Sequence, residues 1–155
     1  MRAVELSTVL TYLLDHHANV NQRDTEGKAA LMNAAEAGNL ECISLLLQRG
    51  ADIRLRDKAG RSALTFAAGA RLQQAAKDVV PVLRQKGAPY QLIDAVLLDD
   101  RKFVRAMLEQ GKSPNVSADH GHSALMSAAT QGNVEMVGLL LRYGANPYWR
   151  IRRGE

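Results

Sequence analysis

The sequence predicts an all-α solenoid, which is a row of similar antiparallel helix pairs. The segment 24–52 returns twice with similar residues, at 57–87 and at 121–146. Equivalent residues keep a constant separation, since Leu31 and Leu64 lie 33 positions apart. Four segments, which begin at Val9, Cys42, Phe103 and Met136, carry apolar residues at the spacing i, i+1, i+4 and i+5, which places them on one face of a helix. A fixed period of this length is typical of repeat proteins, whose units bury their apolar faces on their neighbours.

A short block near the start of each copy carries a resemblance to a known family. It reads Ala29-Ala30-Leu31-Met32 in the first copy, and its counterparts begin at Ser62 and Ser123. This block is a degraded form of the Thr-Pro-Leu-His block of the ankyrin repeat, so the chain resembles that family. The resemblance implies units that consist of a β-turn finger followed by two antiparallel helices, and it extends over almost the whole chain.

The repeat pattern divides residues 1–155 as one array. We expect a partial repeat at 1–23, repeats at 24–56, 57–87, 88–115 and 116–149, and the start of a further repeat or a tail at 150–155. The first complete repeat closes its second helix with Gly50, but His17 stands at this place in the partial repeat. A non-glycine residue in the left-handed conformation costs about 1–2 kcal/mol, so we expect a weaker helix end at His17.

Repeats two and three depart from the period. Gly50 and Gly87 lie 37 positions apart, and the first helix of repeat two can run on into the surplus at 71–77. Pro81 falls within the second helix, where a proline costs about 3 kcal/mol, so this helix is expected to kink or to start near Pro81. Repeat three is shorter, because Gly87 and Gly111 lie only 24 positions apart, and it lacks its finger.

The composition limits the classes of function. Hydrophobic residues make up 46% of the chain and aromatic residues only 5%, which favours small-residue contacts between stacked helices over an all-β sandwich. No apolar run approaches the roughly 18 residues of a membrane span, and the first residues do not resemble a signal peptide. The single Cys42 excludes an intramolecular disulfide and predicts a cytoplasmic protein; its place among apolar helix positions predicts burial.

No motif indicates catalysis, and we predict a non-enzymatic protein without a cofactor or a metal. Asp119, His120 and His122 place three metal-ligating side chains on one turn, but zinc sites need three or four convergent ligands. Exposed turn residues at a partner-facing tip explain this cluster better. His16 and His17 follow a helix and are expected to bond its last carbonyls. The sequence has no glycine-rich phosphate loop, no His-Glu-x-x-His and no Gly-x-Ser-x-Gly motif.

The resemblance implies that a partner protein binds in a concave groove lined by the finger tips and by the exposed side of each first helix. Repeat three contributes no tip because its turn is missing. Carried over by position, the contacting residues are Arg23, Thr25, Glu26, Lys28, Arg56, Lys58 and Arg61 from the first two fingers, Asp119, His120 and His122 from the last finger, and Thr130 and Gln131 from the helix after it.

Charge gives this surface some chemical content. Six basic residues collect on the first two turns and the loop between them, opposed by Glu26 and three turn aspartates; they are Arg23, Lys28, Arg54, Arg56, Lys58 and Arg61. An acidic peptide or protein loop would fit there, although a solvated basic edge is the alternative. A second candidate contact is Trp149 with Tyr143, Tyr148 and Arg150, since aromatic residues and Arg are enriched at interfaces. These aromatic residues can equally cover the last repeat.

We therefore predict a non-catalytic protein–protein interaction module that binds a partner protein or an acidic peptide, without membrane association. The alternative is nucleic-acid or phosphate-ligand binding through the basic turns and the tail, given a net charge of +4. The two end repeats lack a polar cap, so self-association through them is a further expectation.

Overall fold

A computed structural model describes residues 2–70, 73–116 and 122–148, with side chains for 7–70, 77–116 and 122–148. These residues form α-helices and no strand, which confirms the all-α fold class. None of the helices in these ranges combines the length and the apolar character that a membrane span needs. The helices are α1 Arg2–Asp15, α2 Ala30–Glu36, α3 Leu40–Gln48, α4 Ala63–Ala68, α5 Gln73–Gln85, α6 Leu92–Leu97, α7 Arg101–Glu109, α8 Ala124–Thr130 and α9 Val134–Arg142.

The chain divides into two compact units, Met1–Pro89 and Tyr90–Glu155. The single array expected from the sequence stays a prediction. The second helix of a repeat follows its first helix after a turn of three residues in repeats one, three and four, for example between α2 and α3.

The first unit packs α1 on α3, α3 on α2, α2 on α4 and α4 on α5. Ala35 and Ala67 are fully buried in the first helices, and Leu31 and Leu64 lie beside them in the core. Small residues at these positions let neighbouring helices approach closely, so that the larger side chains fill the space between them. Leu31 and Leu64, which lie 33 positions apart, are both buried, so the 33-residue period of the sequence is also a period of buried positions.

The second unit repeats this arrangement with α6, α7, α8 and α9, and α6 packs on both α7 and α8. Its core includes Val96, Val104, Ala128, Met136 and Leu140, all fully buried. The finger expected to be missing from repeat three is absent, because the segment 88–91 leads directly into α6.

The N-terminus of each second helix in repeats one, three and four carries a side-chain cap. Asn39 accepts a hydrogen bond from the backbone N–H of Cys42 at 3.0 Å. Asp100 does the same for α7, and Asn133 for α9. Such a cap contributes about 1 kcal/mol, because it satisfies a backbone donor that the helix cannot satisfy itself. The connecting residues therefore stabilise the helix starts as well as reversing the chain.

Asparagine side chains also hold consecutive loops together after the second helices. The Asn21 side-chain oxygen accepts from the backbone N–H of Asp52 at 2.8 Å. In the second unit, Asn115 accepts in the same way from the N–H of Asn146 at 2.8 Å. This role of the asparagines was not predicted from the sequence.

Repeat two differs from the expectation about its surplus residues. Helix α4 ends at Ala68 and α5 begins at Gln73, so the first helix does not run on, and the second helix does not start near Pro81. Instead the surplus lengthens α5 to 13 residues, against 9 in α3. Val79 and Leu83 are fully buried on one face of α5, whereas Pro81 is exposed on another. Burial of this face offsets the hydrogen bond that Pro81 cannot donate.

The end of α1 has the strained conformation expected for it. His17 has a φ of 65°, and the corresponding Gly50 has a φ of 86°. His16 behaves as predicted, because its Nδ1 lies 2.8 Å from the carbonyl oxygen of Tyr12 in the last turn of α1. Asp99 is the other described non-glycine residue with a positive φ, 55°, in the turn between α6 and α7.

We predict that His17→Gly stabilises the protein by about 0.5–1 kcal/mol. Glycine removes the left-handed strain, but it also gives the unfolded chain more freedom, so only part of the strain energy is recovered. Urea unfolding of both proteins measures the difference.

Asp99→Gly is the matched control, and it should give no gain. Asp tolerates a left-handed φ better than most residues, and the Asp99 carboxylate accepts a hydrogen bond from Asn133 at 2.7 Å that Gly cannot replace. A neutral or destabilising His17→Gly would contradict the account of this helix end.

Candidate partner-binding surface

One aspartate organises the first finger. The Asp24 side-chain Oδ1 accepts hydrogen bonds from the backbone N–H of Glu26 at 2.9 Å and of Lys28 at 2.8 Å. Its backbone N–H donates to the carbonyl of Lys28 at 2.9 Å, and Gly27 supplies the positive φ of 81° that the turn needs. Thr25 and Glu26 are therefore held at the exposed tip.

Asp57 builds the second finger in the same way. Its Oδ1 accepts from the backbone N–H of Ala59 at 3.0 Å and of Arg61 at 2.8 Å. An aspartate followed by glycine three residues later thus specifies both turns, because the carboxylate satisfies the donors that point into the loop. Lys58 and Ala59 are exposed at the second tip.

The two fingers are joined edge to edge. The backbone N–H of Lys58 donates to the carbonyl of Glu26 at 3.0 Å, and the Arg23 guanidinium donates to the carbonyl of Arg56. A Cβ at Gly27 would lie only 3.0 Å from the Lys58 nitrogen, so glycine also allows this close approach. We call the exposed face of residues 23–29 and 54–61 the finger surface.

Most of the predicted basic side chains on the finger surface already bind acceptors of the chain itself. Arg23 Nε donates to the carbonyl of Gly27 at 3.0 Å, and Arg56 donates to the carbonyl of Gly60 at 3.1 Å. Lys28 forms an ion pair of 2.8 Å with Glu36 of α2. The six predicted cations, the four acidic residues of the turns and Glu36 together carry a net charge of only +1.

Arg61 and Asp57 form the most buried ion pair of the finger surface. Arg61 contacts Asp57 Oδ2 through Nε at 2.6 Å and Nη2 at 2.5 Å, and the two side chains are only 11% and 1% exposed. The ring of Phe66 lies against two of these cations. Its centroid is 4.6 Å from the Arg61 guanidinium carbon and 4.4 Å from Lys28 Nζ. Phe66 was not identified from the sequence, although an aromatic residue among the alanines of α4 was an available signal.

Four side chains of the finger surface remain available to a partner. Thr25, Glu26, Arg54 and Lys58 are exposed, and among the described residues their side chains form no hydrogen bond or ion pair. Arg54 and Lys58 are therefore the cations of this surface with freely accessible charge. The other four cations hold the fingers in place.

The predicted site residues of the second unit are only partly described. His122 is exposed, whereas Asp119, His120 and Trp149 lie outside the described residues. Thr130 Oγ1 donates to the carbonyl of Met126 at 2.9 Å, and Gln131 Nε2 donates to the carbonyl of Leu97 at 3.0 Å. Both side chains are exposed, although each forms a hydrogen bond within the second unit.

The predicted aromatic contact near Trp149 is also only partly described. Tyr143 is half-buried and its hydroxyl lies 3.5 Å from Glu109, whereas Tyr148 is exposed. Arg150, like Trp149, lies outside the described ranges. The proposed aromatic contact therefore stays a prediction.

Cys42 is buried at 2% exposure, as the sequence predicted. Burial, and secondarily the charge of Glu41, raise the pKa of the Cys42 thiol above its ordinary value. The neutral thiol is therefore favoured near pH 7, which fits a side chain that packs in the core and does not act as a nucleophile.

Comparisons with known proteins agree with this geometry. Residues 1–94 match the family model described as ankyrin repeats in three copies, and residues 120–151 match the model of a single ankyrin repeat. The chain belongs to the ankyrin repeat family.

A similar relative is an ankyrin repeat-containing protein of Treponema pallidum (strain Nichols). It is 28% identical over 127 residues, which cover 76% of this chain and 41% of the relative. The chain thus matches less than half of the relative's length. Ankyrin repeats are generally non-catalytic protein–protein interaction modules, and the finger surface consists of the β-turns that characterise them.

We predict that Arg61→Ala lowers the free energy of unfolding by about 2–4 kcal/mol. The substitution leaves the Asp57 carboxylate buried without its counter-charge and removes the contact with Phe66. Urea unfolding measures the loss.

Arg54→Ala is the matched control and should change stability by less than about 0.5 kcal/mol, because the Arg54 side chain is exposed and has no partner among the described residues. Equal effects of the two substitutions would show that the buried pair does not stabilise the finger.

Proposed function

We propose that the finger surface binds an acidic segment of a partner protein. The observation that carries this proposal is the presence of two accessible cations, Arg54 and Lys58, on turns that are fixed by their own hydrogen bonds. Thr25 and Glu26 lie on the adjoining tip and offer hydrogen-bonding groups that would select among acidic sequences. Because the fingers are already ordered, binding loses little conformational entropy.

The magnitude of the attraction follows from the small number of accessible cations. Exposed ion pairs contribute about 0.2–1 kcal/mol each, so Arg54 and Lys58 would guide and orient a partner without supplying most of its affinity. Screening would weaken this part of the interaction as salt rises. Contacts with Thr25, Ala59 and the exposed ends of the first helices would supply the remainder.

A displayed library of random peptides tests the proposal without knowledge of the natural partner. Selection against the immobilised protein should enrich peptides rich in Asp and Glu. The double substitution Arg54→Glu with Lys58→Glu should weaken their binding about tenfold, which corresponds to about 1.4 kcal/mol for two reversed surface charges. Isothermal titration calorimetry at low and high salt measures both effects.

Lys86→Glu is the matched control, since Lys86 is an exposed cation that follows α5, outside the finger surface, and its side chain forms no hydrogen bond or ion pair with a described residue. It should leave peptide binding nearly unchanged. Selected peptides without acidic residues, or equal losses in the control and the double variant, would contradict the proposal.

Nucleic-acid or phosphate-ligand binding through the basic turns and the tail remains the alternative. The tail arginines lie outside the described residues, and the finger surface offers two accessible cations. Two phosphate contacts would give a slope of about −1.8 for the logarithm of the binding constant against that of the salt concentration. Filter binding across salt distinguishes the two functions, because a much steeper slope would favour nucleic acid.

Self-association is a separate prediction and concerns α1. Val9 and Leu13 are 56% and 49% exposed, although their counterparts Cys42 and Leu46 are buried. Tyr12 is exposed beside them. If this face mediates self-association, Val9→Ser with Leu13→Ser should lower the mass measured by light scattering at high protein concentration, and a monomeric wild-type protein would contradict it. A cytoplasmic location also stays a prediction, which cell fractionation tests.

A further inference from the structure

A second charged feature lies in the second unit, between the second helices α7 and α9. It is a cleft of about 450 Å³. Its lining residues, which define the arginine cleft, are Arg101, Arg105, Glu135, Gly138, Leu139 and Arg142. None of them belongs to a finger, to the tail or to the predicted groove.

The spacing of these residues along α7 and α9 explains why they line the same cleft. Arg101 and Arg105 are four residues apart on α7 and share one face of that helix. Gly138 and Arg142 are likewise four residues apart on α9. Like charges at this spacing repel each other, and an anion that binds near both guanidinium groups would reduce that repulsion.

The charges within the arginine cleft are only partly balanced. Arg101 binds Asp99 at 3.2 Å and also contacts Glu135. Arg105 and Arg142 are exposed, and no hydrogen bond or ion pair involves their side chains among the residues that the structure describes. Three arginines and one glutamate leave a net charge of +2 on the lining.

Gly138 keeps the middle of the cleft open. It lies inside α9, where glycine is less favourable than alanine by roughly 0.5–1 kcal/mol. Its φ is not positive, and a Cβ there would meet no atom within 4 Å, so neither backbone conformation nor close packing requires glycine. Arg105 holds the corresponding place in α7, six residues before the closing glycine, so the missing side chain on α9 leaves space beside an arginine.

We propose that the arginine cleft binds a phosphate monoester dianion. Guanidinium groups bind phosphate oxygens through paired hydrogen bonds, and a phosphate monoester carries close to two negative charges at pH 7. Arg105 and Arg142 contact the phosphate, while the buried Leu139 provides an apolar surface for the adjoining carbon chain. The phosphate belongs either to a phosphorylated side chain of a protein or to a small phosphorylated molecule. This site is independent of the finger surface.

Isothermal titration calorimetry with defined probes tests the site on the full chain. The probes are inorganic phosphate, a short phosphoserine peptide and the same peptide without its phosphate. We expect inorganic phosphate and the phosphoserine peptide to bind and the unphosphorylated peptide not to bind. A phosphopeptide that binds at least tenfold more tightly than inorganic phosphate would identify a phosphoprotein ligand, and equal affinities would identify a small phosphate compound.

Two variants locate the binding. Arg105→Gln with Arg142→Gln should weaken phosphate binding at least tenfold. Gly138→Leu should do the same by filling the cleft, and because leucine favours helix it leaves the fold intact, which circular dichroism checks. The control Lys102→Gln with Lys112→Gln removes the same charge from exposed residues of this unit whose side chains have no partner in its described part, and it should retain full binding.

Three results would overturn the proposal. The first is the absence of heat with both phosphorylated probes. The second is an equal loss of binding in the lysine control, which would indicate attraction to the net charge alone. The third is full binding by Gly138→Leu, which would place the phosphate elsewhere on the protein. Single-stranded RNA is a further probe of the second result. If it binds, and if the arginine and lysine double variants weaken its binding equally, the protein attracts anions through its net charge alone.

Discussion

The structure depends on the burial of each helix face against the next helix of the stack. Fully buried alanines such as Ala35 and Ala67 let first helices approach closely, and large side chains such as Leu64 fill the remaining space. A single repeat has no core of its own, because its apolar side is buried only against the neighbouring repeats. The residues that face outward are therefore the turns and the outer helix faces, and recognition of a partner has to use them.

The finger surface shows how structural and binding roles compete for the same charges. One carboxylate in each finger satisfies the loop donors, and Asp57 additionally holds Arg61 against the ring of Phe66. Cations that fix the fingers offer less to a partner, because their donors are already bound. A surface that is rich in basic residues by count thus presents chiefly Arg54 and Lys58. The arginine cleft differs, since Arg105 and Arg142 line it without a hydrogen bond or an ion pair from their side chains among the described residues.

Most helices and turns could be predicted from the sequence, because their repetition and the left-handed positions at helix ends are visible in it directly. His17 is an example, since its positive φ was expected. It did not predict that the surplus of repeat two lengthens α5, because a count of residues does not say which helix takes them. Burial of Val79 and Leu83 decides that, and burial depends on tertiary contacts. The pair of Arg61 with Asp57 lay within reach of sequence reasoning at a separation of four residues. The arginine cleft did not, because its walls come from two repeats.

The most direct test of the account is to map which backbone amides change on binding of a peptide selected for affinity to the protein. Nuclear magnetic resonance with isotope-labelled protein gives this map residue by residue. We expect the shifts to concentrate on the finger surface, at 23–29 and 54–61, and to leave the buried positions of α2 and α4 nearly unchanged. Shifts confined to α5, or spread through the core of the first unit, would contradict a surface-based mode of recognition.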